Sequence, residues 1–213
     1  MKVIRNVNET LKDDLALELQ KGSMLSIVAA DFSMYAFEAL RKELSEIEEL
    51  RFIFTDPTFI QKENSKKEKR EFYIPKINRE RRIYGTEFEV KLRNELNQKA
   101  IAKECAEWIK KKVTFKSNVG NKEITDRFIV LNDIAYYTVN SFTTVDLGCE
   151  QGNNMGVNIL KLESPASQAF IEQFAKLWQN EEELKDVTNN VISSISSAYN
   201  ENAPEFIYFV TLY

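Results

Sequence analysis

Two short apolar runs limit what this chain can fold into. Met24 to Ala30 (MLSIVAA) is too short for a helix and nearly continuously apolar, which reads as a strand covered on both faces. Leu50 to Phe54 (LRFIF) reads as a second short strand. Between them Ser33 is placed to cap a helix carrying Phe37, Leu40, Leu44 and Ile47 at helical spacing. Strand, helix and strand in so short a span form a βαβ unit, which requires parallel pairing and a right-handed crossover. The expected fold class is therefore α/β, a mixed sheet flanked by helices. With 43% hydrophobic residues in 213, the chain can fill one ample core.

Further elements follow the same logic. Asn8 is placed to cap a helix with Leu11, Leu15 and Leu19 on its apolar face, and Gly22 to end it. Thr86-x-x-Glu89 is a capping box, behind which Phe88, Leu92, Leu96, Ala102, Cys105, Ile109 and Val113 track one helical face. Val157 to Leu162 alternates as a strand, and Ser164-Pro165 reads as an N-cap followed by proline at the first helical position. That helix should run to about Gln179, with another over Glu181 to Tyr199. The final segment, Pro204 to Tyr213 (PEFIYFVTLY), is almost wholly apolar, which predicts that it continues into a further element or packs back on the domain.

Composition removes several chemistries. The chain has no histidine, the commonest general base and metal ligand. Cys105 and Cys149 lie far apart without a CxxC, so their spacing fits no structural zinc. No Walker A pattern is present, and no cofactor or metal is expected for these residues. No apolar run approaches the roughly 20 residues that span a bilayer, and the N-terminus lacks a signal-peptide core. The expectation is a cytoplasmic protein without a membrane partner.

Charge is unevenly spread. Between Lys62 and Arg82, nine basic and four acidic residues give +5, whereas the whole chain carries −4 and the rest therefore −9. Lys66, Lys67, Lys69, Arg70, Arg79, Arg81 and Arg82 interleave with Phe72, Tyr73, Ile74 and Tyr84, a pattern suited to nucleic-acid phosphates. A solvated insertion has the same composition, so both readings stay open.

The block from Val113 to Gly148 is where a site would be built. It reads as strands at Val113 to Phe115, Phe128 to Leu131 and Ile134 to Val139, with turn residues Asn118, Gly120, Asn121, Asn132 and Asp133 between them. Thr125, Asp126, Arg127, Asn132, Asn140 and Ser141 fall at the ends of these runs, where a buried sheet presents side chains to a cleft.

Together with KGSMLSIVAADFSMYAFEALRKEL and GTEFEVKLRNELNQKAIAKECAEWIKKKV, this block resembles the phospholipase D-like N-terminal domain of bacterial Snf2-type (superfamily 2) helicases. The resemblance implies a phospholipase D-like α/β domain over 1–179 with 62–85 as a basic insertion. It implies a helical extension over 180–213 leading toward a downstream helicase motor in cis. The family's H-x-K-x4-D signature falls on Thr125, Arg127 and Asn132, and its G-S-S-N-F-T-like turn on Thr138 to Thr143. The spacing is kept while the chemistry is not: threonine is a poor nucleophile without a base, but Arg127 can clamp a phosphate, and Asn132, Asn140 and Ser141 can donate hydrogen bonds.

Three functions are compatible with these residues. A catalytically inactive module that binds or positions nucleic acid weakly and without sequence preference requires a positive groove. A phosphodiesterase or nuclease working without histidine requires a carboxylate cluster, for which Asp31, Asp126, Asp133 and Asp146 are the suggestive acids. A protein-interaction module, or a homodimer about a shared site, requires a flat apolar face.

Overall fold

The paired apolar runs lie at the centre of one mixed sheet. The computed structural model describes residues 1–6, 9–56, 95–119, 124–150 and 158–197. In chain order the elements are β1 (Lys2–Ile4), α1 (Leu11–Glu18), β2 (Met24–Ala29), α2 (Met34–Ala39), α3 (Arg41–Glu46), β3 (Glu49–Phe54) and α4 (Glu95–Lys112), followed by β4 (Val113–Asn118), β5 (Phe128–Leu131), β6 (Ile134–Tyr137), β7 (Ile159–Leu162), α5 (Gln168–Trp178), β8 (Leu184–Asp186) and α6 (Thr188–Ser197). The eight strands stand in the order β1-β7-β6-β5-β2-β3-β4-β8. β2, β3 and β4 run parallel, as the βαβ reading requires, and every other neighbouring pair is antiparallel.

Strand alternation divides the core in two. Leu25, Ile27 and Ala29 of β2, Leu50, Phe52 and Phe54 of β3, and Phe115 of β4 face a layer made by α1, α2, α3, α4 and α6. Val28, Ile53, Phe128 and Val130 face the other way, toward Phe170, Phe174 and Trp178 of α5. Burying each such large side chain stabilises the fold by about 1.5–3 kcal/mol. Trp108 fixes α4 to its neighbours, donating its indole N–H to Leu44 O at 2.9 Å while its ring packs on Phe37 at 4.8 Å. Cys105 lies fully buried on that helix, and burial pushes its thiol pKa well up, which suits a packing residue. Cys149 is exposed, and neither cysteine is in a disulfide.

Several boundaries differ from the sequence reading. The cap of α1 is Thr10, whose hydroxyl accepts from Asp13 N while the Asp13 carboxylate accepts from Thr10 N, a reciprocal capping box. α1 ends at Leu19, and Gly22 serves the following turn with φ 83°. The helix after Ser33 is broken at Leu40 into α2 and α3, though Phe37, Leu40, Leu44 and Ile47 are all buried as their spacing implies. The Ser164–Pro165 bond is cis and α5 starts at Gln168, so proline does not open the helix. The single helix expected over 181–199 is instead β8 and α6. Leu184, Lys185 and Asp186 pair with Asn118, Ser117 and Lys116, closing a β4 edge that would otherwise carry unpaired backbone groups, and the Asp186 carboxylate accepts from Thr188 N at 2.8 Å to start α6. Residues 184–197 thus build the same sheet and helical layer as the rest. The Thr86–Glu89 capping box, the basic residues Lys62 to Arg82 and the segment Pro204 to Tyr213 lie outside the described residues.

A buried ionic cluster fastens α1 to the sheet. Asp14, 2% exposed, accepts from Lys2 Nζ, Lys161 Nζ and the Tyr136 hydroxyl, each at 2.7 Å. Lys161 also bonds Glu18 at 2.6 Å, and Lys2 pairs with Glu9. Burial favours the neutral acid, but the hydrogen bonds from Lys161, Lys2 and Tyr136 outweigh it and hold the Asp14 carboxyl below its ordinary value. Burial and the adjacent carboxylate together push the Tyr136 phenol upward. Asp14→Asn should cost about 3–5 kcal/mol, because Lys161 would stay buried without its main counter-charge. Since the native pKa is depressed, the contribution of Asp14 is fully present above its unfolded value of about 3.9 and is lost as pH falls through the native value. Denaturant melts across the acidic range should show that loss in the wild type and its absence in Asp14→Asn.

Candidate functional site

Three parallel strands ending together leave polar residues in a row. β2 runs out through Asp31 to Ser33, β3 through Thr55 and Asp56, and β4 through Ser117 and Asn118. Ligands in open α/β sheets bind beyond such carboxyl ends. Here the ends are tied to one another: Thr55 N donates to Ala29 O at 3.1 Å, Asn118 Nδ2 to Thr55 O at 3.3 Å and Ser117 Oγ to Asp56 O at 3.1 Å. Beneath them Phe32, Phe52, Phe54, Phe115 and Phe142 form a wholly buried aromatic floor, with Phe32 and Phe115 edge to face at 5.1 Å.

Residues 140–142 are strapped beside the end of β2. Ala30 N donates to Asn140 O at 3.0 Å, Phe142 N to Asp31 O at 2.8 Å and Ser33 N to Phe142 O at 2.9 Å. The strap brings Ser141, 8% exposed, against Asp31, with Oγ donating to Oδ2 at 2.8 Å, and leaves the Asn140 side chain exposed. Thr138, which leads into it, has φ 68°, a conformation that favours glycine.

The segment 124–127 enters the same edge, because Phe128 pairs with Val28 near the end of β2. Ile124 packs in the cluster under α5, Asp126 accepts from Gln173 Nε2 at 2.9 Å, and Phe128 packs on Phe170 at 5.3 Å. With 124, 126 and 128 turned to α5, Thr125 and Arg127 fall on the opposite side. Thr125 is exposed; Arg127 is half-buried, and its buried Nε has no hydrogen-bond partner among the described residues. Thr55, 2% exposed, likewise has an unpartnered Oγ1. The unpartnered Arg127 Nε carries a desolvation cost that an anionic ligand would relieve.

Asn132 does not belong to this group. It forms the β5–β6 turn at the other end of the sheet, about 17 Å from Arg127 along the strand. There, at φ 53°, it accepts from Met24 N at 3.0 Å and donates to Ser23 Oγ at 3.3 Å. It seals the start of β2 and has no place in a phosphate pocket with Arg127. The four acids are dispersed too. Asp31 accepts from Ser141, Asp126 from Gln173 and Asp146 from Thr143, while Asp133 sits exposed beside Asn132. Among the described residues no group of three His, Cys, Asp or Glu could hold a metal ion. No helix among them is long and apolar enough to cross a membrane.

Thr55, Asp56, Ser117 and Gln173 were not singled out from the sequence. A usable signal was present for the first three: one polar pair directly after β3 and another closing β4, once those strands are known to be parallel. Gln173 is one polar residue on an amphipathic helix, and nothing local sets it apart.

No family model matches the sequence, and no curated protein matches it. Among solved structures, the crystal structure of phosphatidylserine synthase from Haemophilus influenzae Rd KW20 is similar, with 14% identity and a TM-score of 0.47 over 87% of this chain. The match takes in 38% of that chain, so the present sequence spans well under half of its length.

Asn132→Ala should lower stability by about 1–3 kcal/mol, from left-handed backbone strain and two lost hydrogen bonds. Asn132→Gly should recover the strain component. Neither should alter anion binding at the opposite edge, which titration of the folded variants would check.

Proposed function

We propose that this chain is a phospholipase D-like module that holds phosphate without turning it over, and that it positions nucleic acid for a helicase motor in cis. The observation that carries the reading is the buried, unpartnered Arg127 Nε beside the carboxyl end of β2. A guanidinium keeps its charge and suits a phosphate oxygen pair, so its open donor specifies an oxyanion.

The register of the resemblance has physical support. The family's glycine position falls on Thr138, whose φ of 68° is one that glycine adopts freely. The nucleophile position falls on exposed Thr125, and no histidine exists to activate it. The basic stretch also attaches where it is needed. Residues 57–94 join β3 at its carboxyl end and return through α4, which runs back to the start of parallel β4, so both attachment points lie at the edge bearing Arg127. Lys66, Lys67, Lys69, Arg70, Arg79, Arg81 and Arg82 would add sequence-independent phosphate contacts there.

Titration of single- and double-stranded oligonucleotides against salt tests this. Changing Lys66, Lys67, Lys69 and Arg70 to Ser should weaken binding and flatten the log–log salt slope, by about 0.9 per lost duplex phosphate contact. Arg127→Ala should weaken it about tenfold and flatten the slope by at most the one contact it loses, about 0.9 on duplex DNA. Absence of wild-type binding at low salt, or phosphodiester turnover in EDTA that is lost in Thr125→Ala, would refute the reading. The helicase context stands or falls with the parent reading frame after Tyr213, where a motor with its own P-loop is expected.

A further inference from the structure

We propose that Gln173 on α5 is a positioning residue for Arg127, an inference that rests on the phosphate-holding reading and adds a determinant remote from the ligand. Segment 124–127 forms no ladder of its own, lying outside any strand before β5 begins. Its conformation is therefore set by side chains, and Ile124, Asp126 and the adjoining Phe128 are all held against α5. Ile124 and Phe128 make apolar contacts, which resist withdrawal from the sheet but tolerate sliding. The Gln173 Nε2 to Asp126 Oδ2 bond at 2.9 Å is directional and charge-assisted, and so fixes the rotation of the segment. Rotation is the variable that matters. Asp126 lies between Thr125 and Arg127, so holding its carboxylate against α5 keeps both neighbours on the other side.

The same bond explains why a carboxylate is tolerated beside an anion site. Held by Gln173, Asp126 faces away from the edge that Arg127 serves, where its negative charge would oppose phosphate. α5 is well placed for this task. Phe170 packs on Phe128 and Tyr137, and Phe174 lies under the Arg51 guanidinium at 5.2 Å, so the helix carrying Gln173 is anchored on both sides of that residue.

Charge inversion and its repair provide the test, on the full chain. Gln173→Glu sets two carboxylates against each other; adding Asp126→Asn restores a donor and acceptor across the gap; Gln173→Met removes the bond without charge. Amide exchange at 125–128 should accelerate in Gln173→Glu, less so in Gln173→Met, and return to the wild-type rate in the repaired pair. Affinity for a single-stranded oligothymidylate at low salt should fall about tenfold in Gln173→Glu and recover to within about twofold on repair. In an Arg127→Ala background the Gln173 variants should have no further effect, a coupling that a purely structural role would not produce. Unchanged exchange in Gln173→Glu overturns the positioning role whether or not the oligonucleotide binds. Accelerated exchange with additive losses in the Arg127→Ala background also overturns it. Failure of the wild type to bind oligothymidylate overturns the phosphate reading itself.

Discussion

β2 has no free edge, and the rest of the molecule is arranged around that fact. It is bonded along its length to parallel β3 on one side and antiparallel β5 on the other, and beyond Ala29 the strap of residues 140–142 takes over the second side. A strand so enclosed must be apolar on both faces, which is why MLSIVAA reads as it does. It also ends abruptly, because the first residue to leave the sheet must find new partners for its backbone. Asp31, Phe32 and Ser33 find them in Phe142. That handover pulls Ser141 onto Asp31 and sets Phe32 against Phe142 at 6.0 Å as part of the aromatic floor. The candidate site is thus a consequence of how the central strand terminates.

The two faces of the sheet are covered unequally, and α5 carries its side by unusual means. The face toward α5 presents Arg51 and Lys116 where an apolar residue would pack on a helix. The helix answers with aromatic rings: Arg51 lies over Phe174 at 5.2 Å and Trp178 at 5.8 Å, and Lys116 lies over Trp178 at 4.6 Å while donating to Trp178 O at 2.8 Å. Cation–π contacts at half-buried sites contribute about 0.5–2 kcal/mol each. Arg51 also donates to Ser26 Oγ at 3.2 Å, so the charged stems of β3 and β4 are packed rather than merely solvated. The result ties the position of α5 to polar as well as apolar contacts, and through Gln173 it ties the entry to β5 to the same helix.

What the sequence disclosed depended on whether a local pattern determined the outcome. The βαβ centre, the Ser33 cap, and the 132–133 hairpin each follow from periodicity or turn chemistry within a few residues, and each is found. β8 was misread because Leu184, Val187, Val191 and Ile195 also fit a helix; pairing with the open edge of β4 decided the matter, and that edge is distant in sequence. The site was half legible. Arg127, Asn140 and Ser141 do lie at one edge. Asn132 does not, because a motif spaced along a strand says nothing about which end of the sheet each member reaches. Thr55 and Ser117 show locally only as polar residues at strand ends, and Gln173 joins through a tertiary contact alone.

On the proposed reading, the contrast between Thr125 and Arg127 bears on how such an edge would hold phosphate without turnover. Arginine at a position where the resembled family has lysine retains permanent charge and gains a second parallel donor, which favours holding a phosphate. It also cannot give up its proton, and so cannot serve as the base that an exposed threonine would need. On the proposed reading the two substitutions are consistent with each other: one removes the covalent step and the other strengthens the ground-state grip. An edge built this way binds substrate and transition state alike, which lowers a dissociation constant without lowering a chemical barrier. For a module that must hold nucleic acid while another domain moves along it, uniform binding is the useful property. On that reading, cleavage would release the strand that the module is proposed to position.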